Sequence, residues 1–289
     1  MTVNLTVAAL LQEAVRQLRA SPAGTGPAAA PELDAQLLLA HVLGAPRARL
    51  KSHPEEVAPP QPALRFRQLL ERRAAGEPLA YLTGTKDFWS LRLAVNPSVL
   101  IPRPETELLV ERALALGSSG EARVADLGTG SAAVALALAS ERPRWRILAT
   151  DVSAAALVVA RANAARLALT RVEFRQGDWF GPLAGARFDL LVSNPPYVAA
   201  DDPVMSSPAL GFEPRAALTP GSDALACLRT LARGAPGHLE PAGWLLLEHG
   251  ATQGEDVRRE LVLAGFRHVR SHRDLAGHER MTEGQHDQI

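Results

Sequence analysis

The chain has 289 residues, with 31 lysines and arginines against 31 aspartates and glutamates, so its formal net charge is zero. A protein whose main task is to coat nucleic-acid phosphates needs a basic excess, and this balance argues against that class. Cys227 is the only cysteine, which excludes an internal disulfide framework and a zinc site built on several thiolates.

The first 85 residues have a helical pattern, with apolar residues three to four positions apart. Helices are predicted from Pro31 to a stop at Gly44 and from about Pro62 to Ala75, since proline favours a helix start and glycine a helix end. We predict a small all-helical domain over residues 1–85. It lacks the pattern of a secretory signal, and the chain has no apolar run of membrane-spanning length, so a cytoplasmic location is expected.

A short linker is predicted after this domain. Residues from Phe88 to Val95 alternate between apolar and polar types, which indicates a hairpin or an edge strand. We assign residues 86–108 to this hairpin linker, and a helix is predicted to follow it as far as about Leu116. The third predicted region then covers residues 109–289.

Apolar runs of strand length alternate with helical patterns from Ala122 onward. The predicted strands cover residues 123–127, 146–151, 172–176, 189–193, 244–248 and 266–270, and the predicted helices lie near residues 131–140, 153–166, 222–234 and 252–264. Strands separated by helices form parallel βαβ units, so we predict an α/β domain with an open, mostly parallel, Rossmann-like sheet. Residues 280–289 are less apolar than a final strand requires, and we expect the last of them to be frayed.

A glycine loop follows the first parallel strand. Gly128 and Gly130 allow the backbone to turn tightly and approach a ligand, and Asp151 ends the next strand, where it can accept hydrogen bonds from ribose hydroxyls. With Ala133 the loop also matches the dinucleotide fingerprint, so a nicotinamide dehydrogenase stays open. Asp126 favours a ligand with a cationic amino-acid end, because a carboxylate there would repel a pyrophosphate. Trp179 lies just past the third strand. It either forms a wall for an adenine ring or is an ordinary core side chain.

The tetrapeptide Asn194-Pro195-Pro196-Tyr197 closes the fourth parallel strand. Prolines cannot continue the ladder, and their carbonyls, with that of the asparagine side chain, are acceptors for an NH₂ group. The tyrosine supplies an aromatic face for a flat group. Because an amide nitrogen is a poor nucleophile, holding it in line with an electrophilic methyl is a task of orientation and electrostatics. The tetrapeptide therefore predicts methyl transfer to a planar nitrogen.

In this order, the glycine loop, Asp151, Trp179 and the tetrapeptide resemble class I S-adenosylmethionine methyltransferases that act on exocyclic or amide nitrogen. The segments PLAYLTG at 78–84, IPRPETE at 101–107, FEPRAAL at 212–218 and DLAG at 274–277 narrow the resemblance to the HemK/PrmC family. That family comprises the protein-(glutamine-N5) methyltransferases of peptide chain release factors. The similarity spans nearly the whole chain.

The resemblance implies a substrate glutamine in the Gly-Gly-Gln loop of class I release factors, docked with the help of the N-terminal domain. The residues implied to contact S-adenosylmethionine are Gly128, Thr129, Gly130, Ser131, Ala132, Asp151, Trp179 and Asn194. Asn194 and Pro195 are the implied catalytic pair that holds the glutamine amide, and Pro196 and Tyr197 shape its slot. Ala132 stands where the family usually has glycine. Its methyl is expected to be tolerable if φ is negative, although it could tighten the methionine pocket.

Other polar residues leave two interpretations each. His249 is expected to support the pocket from a loop, with a catalytic role as the alternative. Arg103, Glu105 and Glu107 either cap a helix and form ion pairs or line the substrate mouth. Histidines and carboxylates repeat no metal-ligand spacing, so no metal is expected.

Competing functions follow from the same motifs. Methylation of adenine N6 in DNA or RNA would use the same planar geometry, but it needs a basic groove and a segment that reads the base. A non-catalytic cofactor-binding or ribosome-associated module is the alternative from another class. We expect a monomer that takes no direct nucleic-acid substrate and binds no membrane.

Overall fold

The structure is a computed structural model that describes residues 5–21 and 29–287. The chain divides into two compact units, one formed by Met1–Gly84 with Ser206–Phe212 and the other by Thr85–Met205 with Glu213–Ile289. The predicted linker, residues 86–108, lies within the second unit. The short segment 206–212 packs against the helices of the first unit. A Cβ built at Gly76 would lie 3.0 Å from Pro208, which shows how close the two segments are.

The first unit is built from helices. They are α1 (Val7–Arg19), α2 (Pro31–Leu43), α3 (Arg47–Ser52), α4 (Pro60–Ala74) and α5 (Leu79–Thr83). The Thr6 side chain caps α1 by accepting the Ala9 N–H at 3.2 Å, and Gly44 ends α2 in the left-handed conformation with φ 61°. Leucines of α1, α2 and α4 pack around Phe66 to form one core. The predicted helix starts and stops at Pro31 and Gly44 are confirmed.

The second unit begins with two short strands, β1 (Thr85–Phe88) and β2 (Leu91–Ala94), which pair antiparallel across Trp89 and Ser90. The helix α6 (Glu107–Leu116) follows.

A seven-stranded sheet forms the centre of the second unit. Its strands are β3 (Arg123–Leu127), β4 (Arg146–Asp151), β5 (Glu173–Gln176), β6 (Phe188–Ser193), β7 (Leu239–Glu248), β8 (Phe266–Arg273) and β9 (Glu279–His286), in the order β5-β4-β3-β6-β7-β9-β8. The first five in this order are parallel, and β9 runs antiparallel to both of its neighbours. The predicted Rossmann-like, mostly parallel sheet is confirmed.

Helices cover both faces of this sheet. They are α6, α7 (Ala133–Glu141), α8 (Ala154–Arg166), α10 (Ala226–Gly234) and α11 (Gly254–Leu263), and the short helix α9 (Arg215–Leu218) precedes α10 in the chain. The alternation of side chains along β3 sends Val124 into a core with α6, α7 and α8, and Ala125 into a second core with α10 and α11. Since β3, β4 and β6 are buried on both faces, they read as apolar runs, which is why the sequence pattern identified them.

The sequence predicted no strand in the C-terminal segment, which is less apolar than a final strand requires. In the structure Glu279–His286 form β9, which is inserted between β7 and β8. Glu283 lies in its centre with its side chain fully buried, and it is paired with Arg112 and Arg270. Because these ion pairs allow a charged residue to be buried, the strand lacks the apolar pattern on which the prediction relied. Residues 288–289 lie outside the described residues.

Candidate active site

A cavity of about 410 Å³ opens at the carboxyl ends of β3, β4 and β6. This edge is where ligands bind in open α/β sheets. Its walls come from the glycine loop, the ends of these strands and two further segments, residues 98–106 and 214–220. The predicted residues in the wall are Asp126, Gly128, Thr129, Gly130, Ser131, Asp151, Trp179, Asn194 and Pro196. All of them belong to the second unit.

The glycine loop is fastened to the end of β4. The Gly128 and Thr129 N–H groups donate to the Thr150 carbonyl at 2.9 and 2.8 Å, and the Gly130 N–H donates to Asp151 Oδ2 at 2.9 Å. Gly128 and Gly130 have φ of 76° and 55°, a region that glycine enters without strain. The loop and the Asp151 carboxylate are therefore held as one piece of the cavity wall.

The backbone conformation of Ala132 differs from the one that the sequence analysis required for a tolerable methyl. Its φ is 65°, so the negative φ on which a cost-free methyl depended is not found. A left-handed alanine costs about 1–2 kcal/mol of backbone strain. The residue is fully buried in the core beside α7 and does not line the cavity, so its methyl does not tighten the pocket.

Asp126 is a buried carboxyl at the cavity wall, 2% exposed. Its Oδ2 accepts the Thr129 hydroxyl at 2.6 Å and the Ala135 N–H at 3.2 Å. Burial raises the pKa of Asp126 to about 6, against the lowering effect of these two donors. Burial of a carboxyl without a cationic partner is costly, and a bound cation at this wall would favour its charged form.

Trp179 both lines the cavity and packs on the core of the second unit. Its ring lines the cavity, and a Cβ at Gly128 would lie 3.6 Å from its Cζ3, so the ring faces the glycine loop. The same side chain packs against the core that contains α10 and α11. Trp179 has φ 37°, which is unusual for a bulky residue and fixes the direction in which the side chain leaves the backbone.

Only two of the four residues of the Asn194-to-Tyr197 tetrapeptide lie at the cavity wall. Asn194 and Pro196 line the cavity, whereas Pro195 and Tyr197, which were also expected at the substrate slot, do not. The Asn194 Nδ2 donates to Thr106 Oγ1 at 3.1 Å, and the Tyr197 hydroxyl donates to Glu248 Oε1 at 3.2 Å. With its NH₂ group engaged, Asn194 keeps its Oδ1 as an acceptor for a ligand.

Comparison with known proteins gives the family. Residues 9–84 match the model of the PrmC N-terminal domain, and residues 104–208 match that of the methyltransferase small domain. A release factor glutamine methyltransferase of Vibrio cholerae is 44% identical, and the match covers 98% of each chain. That of Pseudomonas aeruginosa is 48% identical over 97% of this chain and 98% of the relative.

The chain belongs to the release factor glutamine methyltransferase family. It is therefore an S-adenosylmethionine-dependent methyltransferase. Among solved structures, a methyltransferase from Pyrococcus furiosus has a TM-score of 0.54 at 19% identity and covers 75% of this chain and 99% of its own. The hMettl16 catalytic domain has a TM-score of 0.56 at 16% identity, covering 77% of this chain and 79% of its own. These structures share the fold.

Two wall segments of this methyltransferase are joined by one carboxylate that the sequence analysis did not single out. Glu213 is buried, accepts the Ile101 N–H at 3.0 Å and forms an ion pair with Arg103. The segments 98–106 and 214–220 are thereby held together. Of the two interpretations given for Arg103, the structure supports the ion pair. Arg103 and Glu213 lie in segments that the sequence analysis had noted, IPRPETE and FEPRAAL, but the sequence did not predict that these segments contact each other.

Polar groups next to the cavity were also missed or left open. Thr106 lines it at the start of α6, and Glu248 is buried at the end of β7. The sequence predicted no role for either residue. His249 is fully buried, with Nε2 2.8 Å from Thr282 Oγ1, and lies off the cavity wall, so the structure favours the supporting role. Burial lowers the pKa of His249.

Within the described residues, every helix is too short or too polar to span a bilayer. Over residues 5–21 and 29–287, no group of three or more histidine, cysteine or carboxylate side chains is placed to hold a metal ion.

Proposed function

We propose that this enzyme transfers a methyl group from S-adenosylmethionine to the side-chain amide nitrogen, N5, of the glutamine in the Gly-Gly-Gln motif of class I release factors. The names of relatives that match over nearly the full chain support this substrate. The observation in the molecule that carries it is the Asn194 side chain at the cavity wall, where Thr106 takes its NH₂ group and its carbonyl stays available.

The cavity wall fits the cofactor. Asp126 is a buried carboxyl at the wall whose charged form a cationic amino group would favour. A side chain at Gly130 would meet no protein atom within 4 Å, so the backbone is open to a ligand there. We assign cofactor contacts to the glycine loop from Gly128 to Ser131, to Asp151 for the ribose hydroxyls and to Trp179 for the adenine.

When bound, S-adenosylmethionine supplies an electrophilic methyl group on a sulfonium. The chain's own contribution is to orient the acceptor. Asn194 Oδ1 and the Pro195 carbonyl accept the two hydrogens of the glutamine NH₂, which aims the nitrogen lone pair and favours pyramidal geometry. Pro196, which lines the cavity, confines the flat amide. No strong base is required, because the N–H becomes acidic once the nitrogen carries the methyl.

The helical first unit is assigned the docking of the release factor, in agreement with the PrmC N-terminal domain match over residues 9–84. The zero net charge supports a protein substrate over nucleic acid. We further propose that the enzyme acts as a monomer in the cytoplasm.

Transfer of labelled methyl tests this function. The protein is incubated with labelled S-adenosylmethionine and, in separate reactions, with a class I release factor, DNA and RNA. Label in the release factor, absent when its motif glutamine is replaced by alanine, is the expected result. Label in DNA or RNA with an unlabelled release factor would instead favour adenine N6 as the acceptor.

A further inference from the structure

Glu248 is a buried carboxyl next to the acceptor tetrapeptide that no step above uses. It ends β7 with 2% of its surface exposed. Its Oε1 accepts the Tyr197 hydroxyl at 3.2 Å, whereas its Oε2 is buried without a hydrogen-bond partner. A buried polar oxygen without a partner costs free energy, so its retention needs a physical reason.

Thr106 connects this carboxyl to Asn194. The Thr106 side chain is buried at the cavity wall, and its Oγ1 accepts the Asn194 Nδ2 at 3.1 Å. A threonine hydroxyl has one proton of its own, which must go to another acceptor when the lone pair is used in this way. Burial raises the pKa of Glu248 to about 7. Hydrogen bonding with the Thr106 hydroxyl lowers this pKa in part, so the two side chains are neighbours.

We propose that Glu248 is a positioning residue of the acceptor site, an inference that rests on the function proposed above. The carboxylate draws the hydroxyl proton of Thr106 toward itself and so commits the Thr106 lone pair to Asn194 Nδ2. This fixes the side-chain amide of Asn194 in the orientation that turns Oδ1 to the substrate. The same carboxylate holds Tyr197 by its hydroxyl.

The orientation matters because the two ends of an asparagine amide have nearly the same shape. If the amide of Asn194 were reversed, its NH₂ group would face the NH₂ group of the glutamine, and two donors would meet. An unmade hydrogen bond in a buried site costs about 1–3 kcal/mol, which corresponds to a loss of roughly 10–100-fold in turnover. Packing cannot choose between the orientations, so the choice falls to the Thr106 hydroxyl.

Glu248→Gln tests the inference because it keeps the shape of the side chain. A glutamine can still accept the Tyr197 hydroxyl, but its NH₂ group donates toward Thr106. The Thr106 hydroxyl then points its proton at Asn194 and favours the reversed amide. We expect kcat for release-factor methylation to fall roughly 10–100-fold, while the affinity for S-adenosylmethionine, measured by calorimetry, stays within about threefold.

Thr106 provides the matched pair of variants. Thr106→Val keeps the shape and removes the hydroxyl, so its loss of kcat should be similar. Thr106→Ser keeps the hydroxyl and should lose much less. The double variant Glu248→Gln with Thr106→Val should be no worse than either single variant, because both break one relay. A buried residue with only a structural role would give independent losses and no rescue by serine.

The outcomes separate this inference from the proposed function. If wild-type protein methylates the release factor but Glu248→Gln keeps its full kcat, or the two losses multiply in the double variant, Glu248 does not position Asn194 and the function stands. If the wild-type protein transfers no methyl to the release factor, the proposed function fails, and with it the inference. Should Glu248→Gln fail to fold, as judged by its thermal unfolding, the contrast between Thr106→Val and Thr106→Ser decides the question.

Discussion

Polar side chains are buried in two regions of the catalytic unit, and they are hydrogen-bonded in different ways. In the hairpin of β8 and β9, Glu283 is surrounded by Arg112 and Arg270, and both of its oxygens are paired. At the cavity, Asn194 uses only its NH₂ group on the protein, and Glu248 has one oxygen without a partner.

From this difference we predict which polar groups act on a ligand. A buried group whose hydrogen bonds are all made by the protein contributes to the fold, and its removal leaves a charge unpaired. We expect a group that keeps an acceptor free next to the cavity to contribute to binding or catalysis. Substitutions in the hairpin should therefore lower stability, and substitutions at the cavity should lower activity.

The largest expected effect is on activity. Asn194→Ala removes the acceptor that aims the glutamine amide, so kcat should fall by at least about 100-fold. Binding of S-adenosylmethionine should remain measurable by calorimetry, and the thermal unfolding midpoint should change little. Methyl transfer at the wild-type rate in this variant would disprove the orienting role of the side chain.

The hairpin should show the opposite result. Glu283→Ala leaves the partly buried Arg112 without its partner, which should reduce the free energy of unfolding by about 3 kcal/mol. The midpoint measured by calorimetric unfolding should fall by about 10 °C. Glu255→Ala is the matched control, because its ion pair with Arg259 is exposed on one helix and should have a much smaller effect. Similar midpoints for the two variants would contradict the comparison.

Two buried carboxyls, Asp126 at the cavity wall and Glu248 at the end of β7, also predict how stability depends on pH. Burial raises the pKa of Asp126 to about 6 and that of Glu248 to about 7. An acid with a higher pKa in the folded state binds more protons when folded, so the free energy of unfolding falls as the pH rises between the unfolded and folded values. For Glu248 this window runs from 4.5 to about 7, and the loss is at most about 3 kcal/mol.

Urea unfolding at a series of pH values measures this dependence. The free energy of unfolding should decline from about pH 5 to about pH 8. Glu248→Gln cannot titrate, so its decline should be shallower and should retain the part due to Asp126. The same slope for the variant and the wild type would show that Glu248 is already ionised at the lower end of the range.

The smallest expected effect is at Ala132, which is fully buried in the core and does not line the cavity. Ala132→Gly relieves about 1–2 kcal/mol of left-handed strain, but it removes a buried methyl worth about 0.8 kcal/mol and adds the entropy cost of glycine. These terms nearly cancel, so the change in the free energy of unfolding should be below about 1 kcal/mol. A large change in cofactor affinity, measured by calorimetry, would mean that the methyl reaches the cavity.

The sequence predicted best where one residue type has one physical consequence. The apolar runs of β3, β4 and β6 identified strands buried on both faces. Glycines at 128 and 130 identified a turn that approaches a ligand, and the prolines after Asn194 marked the point where the chain leaves the sheet. Each of these signals lies within a few consecutive residues.

The prediction failed or was silent where the consequence depends on a distant partner. The burial of Glu283 depends on Arg112 from another helix, so the polar sequence of β9 did not indicate a strand. The significance of Thr106 and Glu248 arises only when the fold brings them to Asn194 and Tyr197. The left-handed conformation of Ala132 had one signal, the glycine that the family usually carries there.

Site-resolved mass spectrometry tests the central claim most directly. A class I release factor is incubated with this protein and S-adenosylmethionine, digested, and its peptides are fragmented to locate any added methyl. The account predicts a single methyl on the side-chain amide of the Gly-Gly-Gln glutamine, absent from the reaction with Asn194→Ala. An unmodified glutamine, or a methyl on another residue of the release factor, would contradict it.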